Sequence, residues 1–133
     1  MKALEPCTEV ISHPKITFEQ KRSKLTLDNK TRVKFNRVEL DKCILREKAC
    51  DFILFNDIIE VYIELKGQKI NEAYKQIVAS LKRWGSAKKQ SKAYIICTFV
   101  PMVTTEVQSK QKLFRINHHS VLIIKSSPFE DKI

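Results

Sequence analysis

Two acids and a lysine interrupt the most apolar part of the chain. Asp51 lies in Cys50-Asp51-Phe52-Ile53-Leu54-Phe55, and Glu64 and Lys66 close the run Ile58-Ile59-Glu60-Val61-Tyr62-Ile63-Glu64-Leu65-Lys66. Two carboxylates at one place offer hard oxygen ligands for Mg²⁺, with Mn²⁺ as the alternative, and such an ion keeps room for waters and a phosphate oxygen. A cation there would polarise a phosphodiester, and an adjacent lysine could orient the attacking water or stabilise growing negative charge. The pattern therefore points to metal-assisted phosphodiester hydrolysis.

Geometry decides whether these residues can meet. Both runs are rich in β-branched and aromatic residues and are separated by Asn56-Asp57, which suits a tight turn, so a β-hairpin is predicted. With Asn56-Asp57 as the loop, Phe55 opposes Ile58 and Asp51 opposes Tyr62. Glu64 is then a diagonal neighbour of Asp51 on one face, roughly 7–8 Å away between backbone positions, and Lys66 shares that face. A one-residue bulge or an odd loop would separate the carboxylates. The other face, Phe52, Leu54, Ile59, Val61, Ile63 and Leu65, is wholly apolar, so these strands should be central. Charges in central strands are costly unless they pair or coordinate a metal.

The elements around the hairpin follow from periodicity. Residues 33–40 read as a first strand, followed by a polar connection. After Gly67, the positions Ile70, Ala73, Tyr74, Ile77, Val78, Leu81 and Trp84 recur at helical steps, with Asn71 as the expected N-cap and Gly85 as the stop. Residues 93–99 read as a buried strand, 104–114 as a second helix capped by Thr104 or Thr105, and 120–124 as a last strand. Residues 1–32 are read as an irregular N-terminal segment, either a short helix near 17–24 or an extended arm. The order β-β-β-α-β-α-β predicts an α/β fold with a central mixed sheet of four to five strands flanked by helices. It also predicts a single domain over 1–133, with its core at 33–125.

The composition agrees with one folded unit of 133 residues, 43% of them apolar. The apolar runs are far shorter than the ~20 residues of a membrane span, and the N-terminus lacks a secretory h-region, so no membrane association and a cytoplasmic location are expected. The 25 Lys and Arg against 15 Asp and Glu give a net charge of +10, which favours a polyanionic partner. Basic residues cluster at 21–24, 30–37 and 82–92, and the irregular N-terminus and the segment around Lys88–Lys92 are candidate substrate contacts. Cys7, Cys43, Cys50 and Cys97 contain no CxxC pair and are read as structural cysteines in preference to a zinc site or a disulfide framework. His118 and His119 are read as loop or strand-edge residues, and Trp84 and Tyr74 as core.

An acid on one strand, acid-x-Lys on the next and then a helix is the pattern that resembles the PD-(D/E)XK nuclease superfamily. Here it is carried by Cys50-Asp51, Glu64-Leu65-Lys66 and the helix after them, within residues 33–99. The resemblance implies a restriction-endonuclease-like sheet and Mg²⁺- or Mn²⁺-dependent cleavage of nucleic acid. It implies a metal held by Asp51, Glu64 and the Leu65 carbonyl, Lys66 serving the nucleophilic water, and Gln76 as an auxiliary polar residue. Cys50 replaces the motif's proline, and the further upstream acid of many members is unassigned between Glu39, the preferred choice, and Glu19. A DNA endonuclease is the leading expectation, restriction-like or resembling a Holliday-junction resolvase, with a homodimer as an option and DNA favoured over RNA. The alternatives are a non-catalytic nucleic-acid-binding protein of the same fold, and a structural or inhibitor protein with an acidic partner.

Overall fold

The structure is a computed structural model that describes residues 2–20, 22–44, 47–66, 69–98 and 105–133; the side chains of Lys2 and Lys66 lie outside that description. Its centre is a mixed six-stranded sheet in the order β1-β4-β5-β6-β7-β8. The strands are β1 (Thr8–Ile11), β4 (Phe35–Glu39), β5 (Phe52–Phe55), β6 (Ile59–Lys66), β7 (Gln90–Cys97) and β8 (Val121–Ser126). β1, β4, β5 and β6 pair antiparallel, whereas β6, β7 and β8 run parallel. The parallel half has the expected cause, because α1 (Ile70–Trp84) and α2 (Thr105–His118) are the crossovers between its strands.

The expected sheet of four to five strands is thus six strands wide, and its layers differ from the expectation. Helices cover one face only. The other face is covered by a three-stranded sheet, β2 (Lys15–Gln20), β3 (Ser23–Asp28) and β9 (Phe129–Lys132). Residues 1–32 are therefore neither an irregular helix nor a loose arm: they supply edge strand β1 and the β2-β3 hairpin. Ile16 and Phe18 on β2 and Leu25 and Leu27 on β3 alternate with polar residues, and all four are fully buried. They pack against Phe52, Leu54, Val61, Ile63 and Leu65, the face expected to be apolar. Between sheet and helices lies a second core that includes Val38, Ile53, Tyr62, Ile70, Ala73, Ile77, Ala93 and Ile95. Because β5 and β6 are buried on both faces, their sequences read as nearly continuous apolar runs.

Helix α1 spans the predicted stripe and buries Ile70, Ala73, Ile77 and Ser80. Its start is two positions earlier than the expected cap implies: Lys69 is the N-cap, without a side-chain capping bond, and Asn71 sits inside the first turn. Gly85 ends the helix at φ −67°, donating its N–H to the Leu81 carbonyl at 2.8 Å. Glycine is required there by space, since a Cβ would lie 2.4 Å from the Leu81 carbonyl oxygen. Helix α2 runs beyond the expected 104–114 span, and Thr104 lies outside the described residues. His118, expected in a loop or at a strand edge, is its last residue, with its ring 5.2 Å from that of Phe114. His119 follows at φ 51°.

The cysteines divide. Cys7 and Cys43 form a disulfide, which corrects the reading of all four as structural thiols, while Cys50 and Cys97 are free and buried. The bond ties the N-terminal 3-10 segment Lys2–Cys7 to the start of the β4-β5 connection. No helix among the described residues is long and apolar enough to cross a membrane.

Candidate active site

The hairpin forms, but in a register two residues away from the expected one. Phe55 pairs with Glu60 and Phe52 with Ile63. Asn56 is the reason. Its Oδ1 accepts the N–H groups of Ile58 at 2.8 Å and Ile59 at 3.0 Å, and its own N–H donates to the Ile59 carbonyl at 3.1 Å. Asn56 therefore opens the turn as a side-chain acceptor, and Asp57-Ile58 form its tip. An even shift leaves every side chain of β6 on its expected face.

Asp51 departs from the ladder. Its N–H donates to the Ile63 carbonyl at 3.0 Å although Phe52 is the register partner of Ile63, so two residues oppose one, as in a β-bulge. Simple alternation then no longer places the Asp51 side chain, and the expected diagonal contact across one face does not describe it. The carboxylate instead continues the ladder itself: Oδ2 accepts the Leu65 N–H at 2.7 Å. On the other flank the Asp51 carbonyl accepts the Leu40 N–H at 3.0 Å. Asp51 is thereby held at the peptide that follows Glu64. Within a strand the N–H and C=O of one residue point to the same flank, so the Leu65 carbonyl is directed to the flank that holds the Asp51 carboxylate.

Glu64 is 0% exposed, on the face that α1 covers, paired in register with Ile95 of β7. Glu60 and Tyr62 precede it on the same face and are equally buried. Cys50 reports on both acids. Burial, with the charges of Glu64 and Asp51 adding to it, pushes its thiol up to about 12 against a lowering by Ser80 and Ile63. Cys50 therefore stays a neutral thiol beside the two acids. Burial likewise pushes Cys97, the register partner of Lys66, up to about 11.

Helix α1 fixes this corner. The Ser80 hydroxyl accepts the Cys50 N–H at 2.8 Å, and Arg83 pairs with Glu47 of the same connection. Gln76 lies one turn before Ser80 on that flank. Its Oε1 is buried and has no hydrogen-bond partner among the described residues. The backbone of Lys66 pairs with Cys97 at the end of β6; its side chain lies outside the described residues.

The two upstream acids are not brought in. Glu39 follows Arg37 by two positions on β4, and the Arg37 guanidinium stacks on Phe18 and Phe52 on the opposite face of the sheet. Glu39 pairs there with Lys42 at 3.8 Å. Glu19 is exposed on β2, opposite Lys24. Among the described residues no three His, Cys, Asp or Glu side chains converge as a metal cluster. Asp51 and Glu64, one on the Leu65 N–H and the other next to Leu65 in the chain, and the Leu65 carbonyl are oxygen donors of the kind Mg²⁺ takes when substrate and water complete its shell.

Sequence reasoning missed Ser80. Ser80 carried a signal, a serine in the buried stripe of α1 three residues after Ile77. Compared with known proteins, the chain matches no protein family, no curated sequence and no solved structure.

Proposed function

We propose that the chain is a metal-dependent nuclease of PD-(D/E)XK type that hydrolyses phosphodiester bonds, with DNA as substrate. The observation that carries this reading is the Asp51 carboxylate seated on the Leu65 N–H beside the fully buried Glu64. A buried acid in a central strand is retained where pairing or coordination compensates its desolvation, and local breaks in strand pattern concentrate at functional sites. Asp51, Glu64 and the Leu65 carbonyl would hold Mg²⁺ or Mn²⁺, which when bound supplies polarisation of the scissile phosphate and neutralisation of its charge.

The protein's own groups do the rest. Asp51 is fixed by β6, by the Leu40 N–H just after β4 and by its own carboxylate bond, so the metal-holding geometry is set before substrate arrives. Lys66, next in the chain after Leu65, orients the attacking water and offsets charge growing on the phosphate oxygens. Gln76 Oε1, with its acceptor capacity unspent, accepts a hydrogen bond from that water and so aims its lone pair. Cys50, neutral beside the acids, adds no third negative charge to the corner.

A second reading, a nucleic-acid-binding chain of this fold without catalysis, is favoured by the complete burial of Glu64. Cleavage assays on plasmid, single-stranded, branched DNA and RNA, each with Mg²⁺, Mn²⁺ or EDTA, separate the two. Metal-dependent cleavage lost in Glu64→Gln and Lys66→Ala supports the nuclease; binding without cleavage in any metal supports the second reading.

A further inference from the structure

At the other end of the parallel strands, α1, α2 and β7 enclose a pocket of about 360 Å³. The size suits a small ligand, since such sites run from roughly 300 Å³ upward. Its wall includes Lys89, His118, His119, Ser86, Ser91 and Asn117. Every ionisable side chain in that wall is basic. Ser91 pairs with Glu60 and Ile95 with Glu64, so four residues of strand, about 13 Å at ~3.3 Å each, separate the pocket from the Asp51–Glu64 corner.

The last helical bonds, from the Gly85 N–H to the Leu81 carbonyl at 2.8 Å and from the His119 N–H to the Arg115 carbonyl at 3.0 Å, bring both helix ends to the pocket wall. The adjacent acid, Glu60, is buried, and its Oε1 accepts the Ser86 N–H at 3.0 Å. Burial, then the charges of Lys82 and His119, hold His118 below the usual imidazole range.

The charge layout of the whole molecule points the same way. α1 and α2 carry Lys75, Lys82, Arg83, Lys110, Lys112 and Arg115 against Glu72 and Glu106, with Arg83 paired to Glu47. The three-stranded sheet on the opposite side carries Lys15, Lys24 and Lys132 against Glu19, Asp28, Glu130 and Asp131. Helices α1 and α2 are thus net basic while the strands of the small sheet are slightly acidic, and the pocket lies at the end of the helix layer.

We propose that this pocket seats a phosphate group of a nucleic-acid strand lying along the helix layer, a second contact remote from the Asp51–Glu64 corner. The inference rests on the nucleic-acid reading above but not on catalysis. Lys89 supplies charge, and Ser86, Asn117 and the imidazoles supply hydrogen-bond capacity, to a group whose oxygens accept from all of them.

The test is anisotropy of a labelled duplex oligonucleotide in EDTA, over a range of salt, with the full chain. Lys89→Gln and His119→Asn, the latter chosen because asparagine tolerates the left-handed backbone, are each compared with a Lys15→Gln/Lys132→Gln control, and all are checked for unchanged melting. The expected result is a several-fold loss of affinity in each pocket variant, a salt slope reduced by about one unit for Lys89→Gln, and no change in the control. In a parallel arm, inorganic phosphate and a mononucleotide are titrated while the His118 and His119 imidazole resonances are followed. Weak, millimolar shifts there support a strand phosphate as the occupant. Mononucleotide binding tighter than that of the oligonucleotide overturns it in favour of a small-molecule site. Pocket variants that bind the oligonucleotide as the wild type does overturn the proposal and leave the nuclease reading standing, whereas loss of cleavage in Asp51→Asn with binding intact leaves the pocket standing.

Discussion

Asp51 has a structural role and a proposed chemical one, and two substitutions separate them. Its Oδ2 accepts the Leu65 N–H at 2.7 Å, and Leu65 is only 7% exposed. Hydrogen bonds to a charged acceptor contribute roughly 1.5–3 kcal/mol, against about 1 kcal/mol for neutral pairs. Asp51→Asn keeps an acceptor of the same shape at that N–H and should lose about 1 kcal/mol. Asp51→Ala leaves a buried N–H without its acceptor and should lose roughly 2–3 kcal/mol. For a chain of this size each kcal/mol lowers the melting temperature by roughly 3–5 °C, so the alanine variant should melt clearly below the asparagine variant. Cleavage should not follow that order. Outer-shell partners of metal ligands already cost about 10–100-fold when removed, so loss of a ligand should reduce cleavage by at least about 100-fold in both variants. Thermal melts and cleavage rates on the same preparations check this. Equal melting of the two variants would refute the role of the Leu65 bond, and cleavage retained in Asp51→Asn would refute the metal role.

Other consequences follow from single contacts. Gly85→Ala should destabilise the fold by about 1–3 kcal/mol, because its Cβ would press on the Leu81 carbonyl; urea titration measures it, and an unchanged midpoint would contradict the close approach. The Cys7–Cys43 bond closes a sequence separation of 36, so Cys7→Ser/Cys43→Ser should lose about 3–4 kcal/mol by the chain-entropy argument, and alkylation of the unfolded, unreduced wild type should label Cys50 and Cys97 alone. Burial pushes the Asp131 carboxyl up, but the Tyr94 hydroxyl at 2.7 Å, the Lys132 N–H and Lys92 outweigh it and hold the group below the usual carboxylate range. A depressed folded value contributes stability that is complete above the unfolded value near 4 and lost as pH falls through the folded one. Asp131→Asn should therefore be less stable than the wild type at pH 7 by under about 1 kcal/mol, since solvent screens the group, and the gap should close in acid; a gap that persists at low pH would exclude the charge as its source.

Much of the fold could be read in advance because burial imposes period. The helical stripe from Ile70 to Trp84 and the two-sided apolar runs of β5 and β6 each have one physical explanation, and the structure contains both. The N-terminal strands were legible too: Ile16 and Phe18, then Leu25 and Leu27, alternate at strand period. What hid them is length, since six-residue strands broken by Pro14 and a run of basic residues look like an arm until a second sheet is there to receive them. β9 had still less signal, because Phe129-Glu130-Asp131-Lys132 owes its place to parallel pairing with β3, a contact far away in sequence.

The site divides in the same way. That Asp51 lies close to the Glu64–Leu65 segment could be inferred from residue types and spacing. The route could not, because the register was set by Asn56 acting as a side-chain acceptor and by the bulge at Asp51, and neither leaves a mark in hydrophobic pattern. Ser80 and Cys50 meet only through the docking of the β4-β5 connection on α1.

The most direct test of the account is anomalous diffraction from crystals of this chain grown or soaked in Mn²⁺. The account predicts one anomalous peak at coordination distance from carboxylate oxygens of both Asp51 and Glu64, absent from crystals of Glu64→Gln. A peak elsewhere, or none at these acids when Mn²⁺ is in large excess, would contradict it.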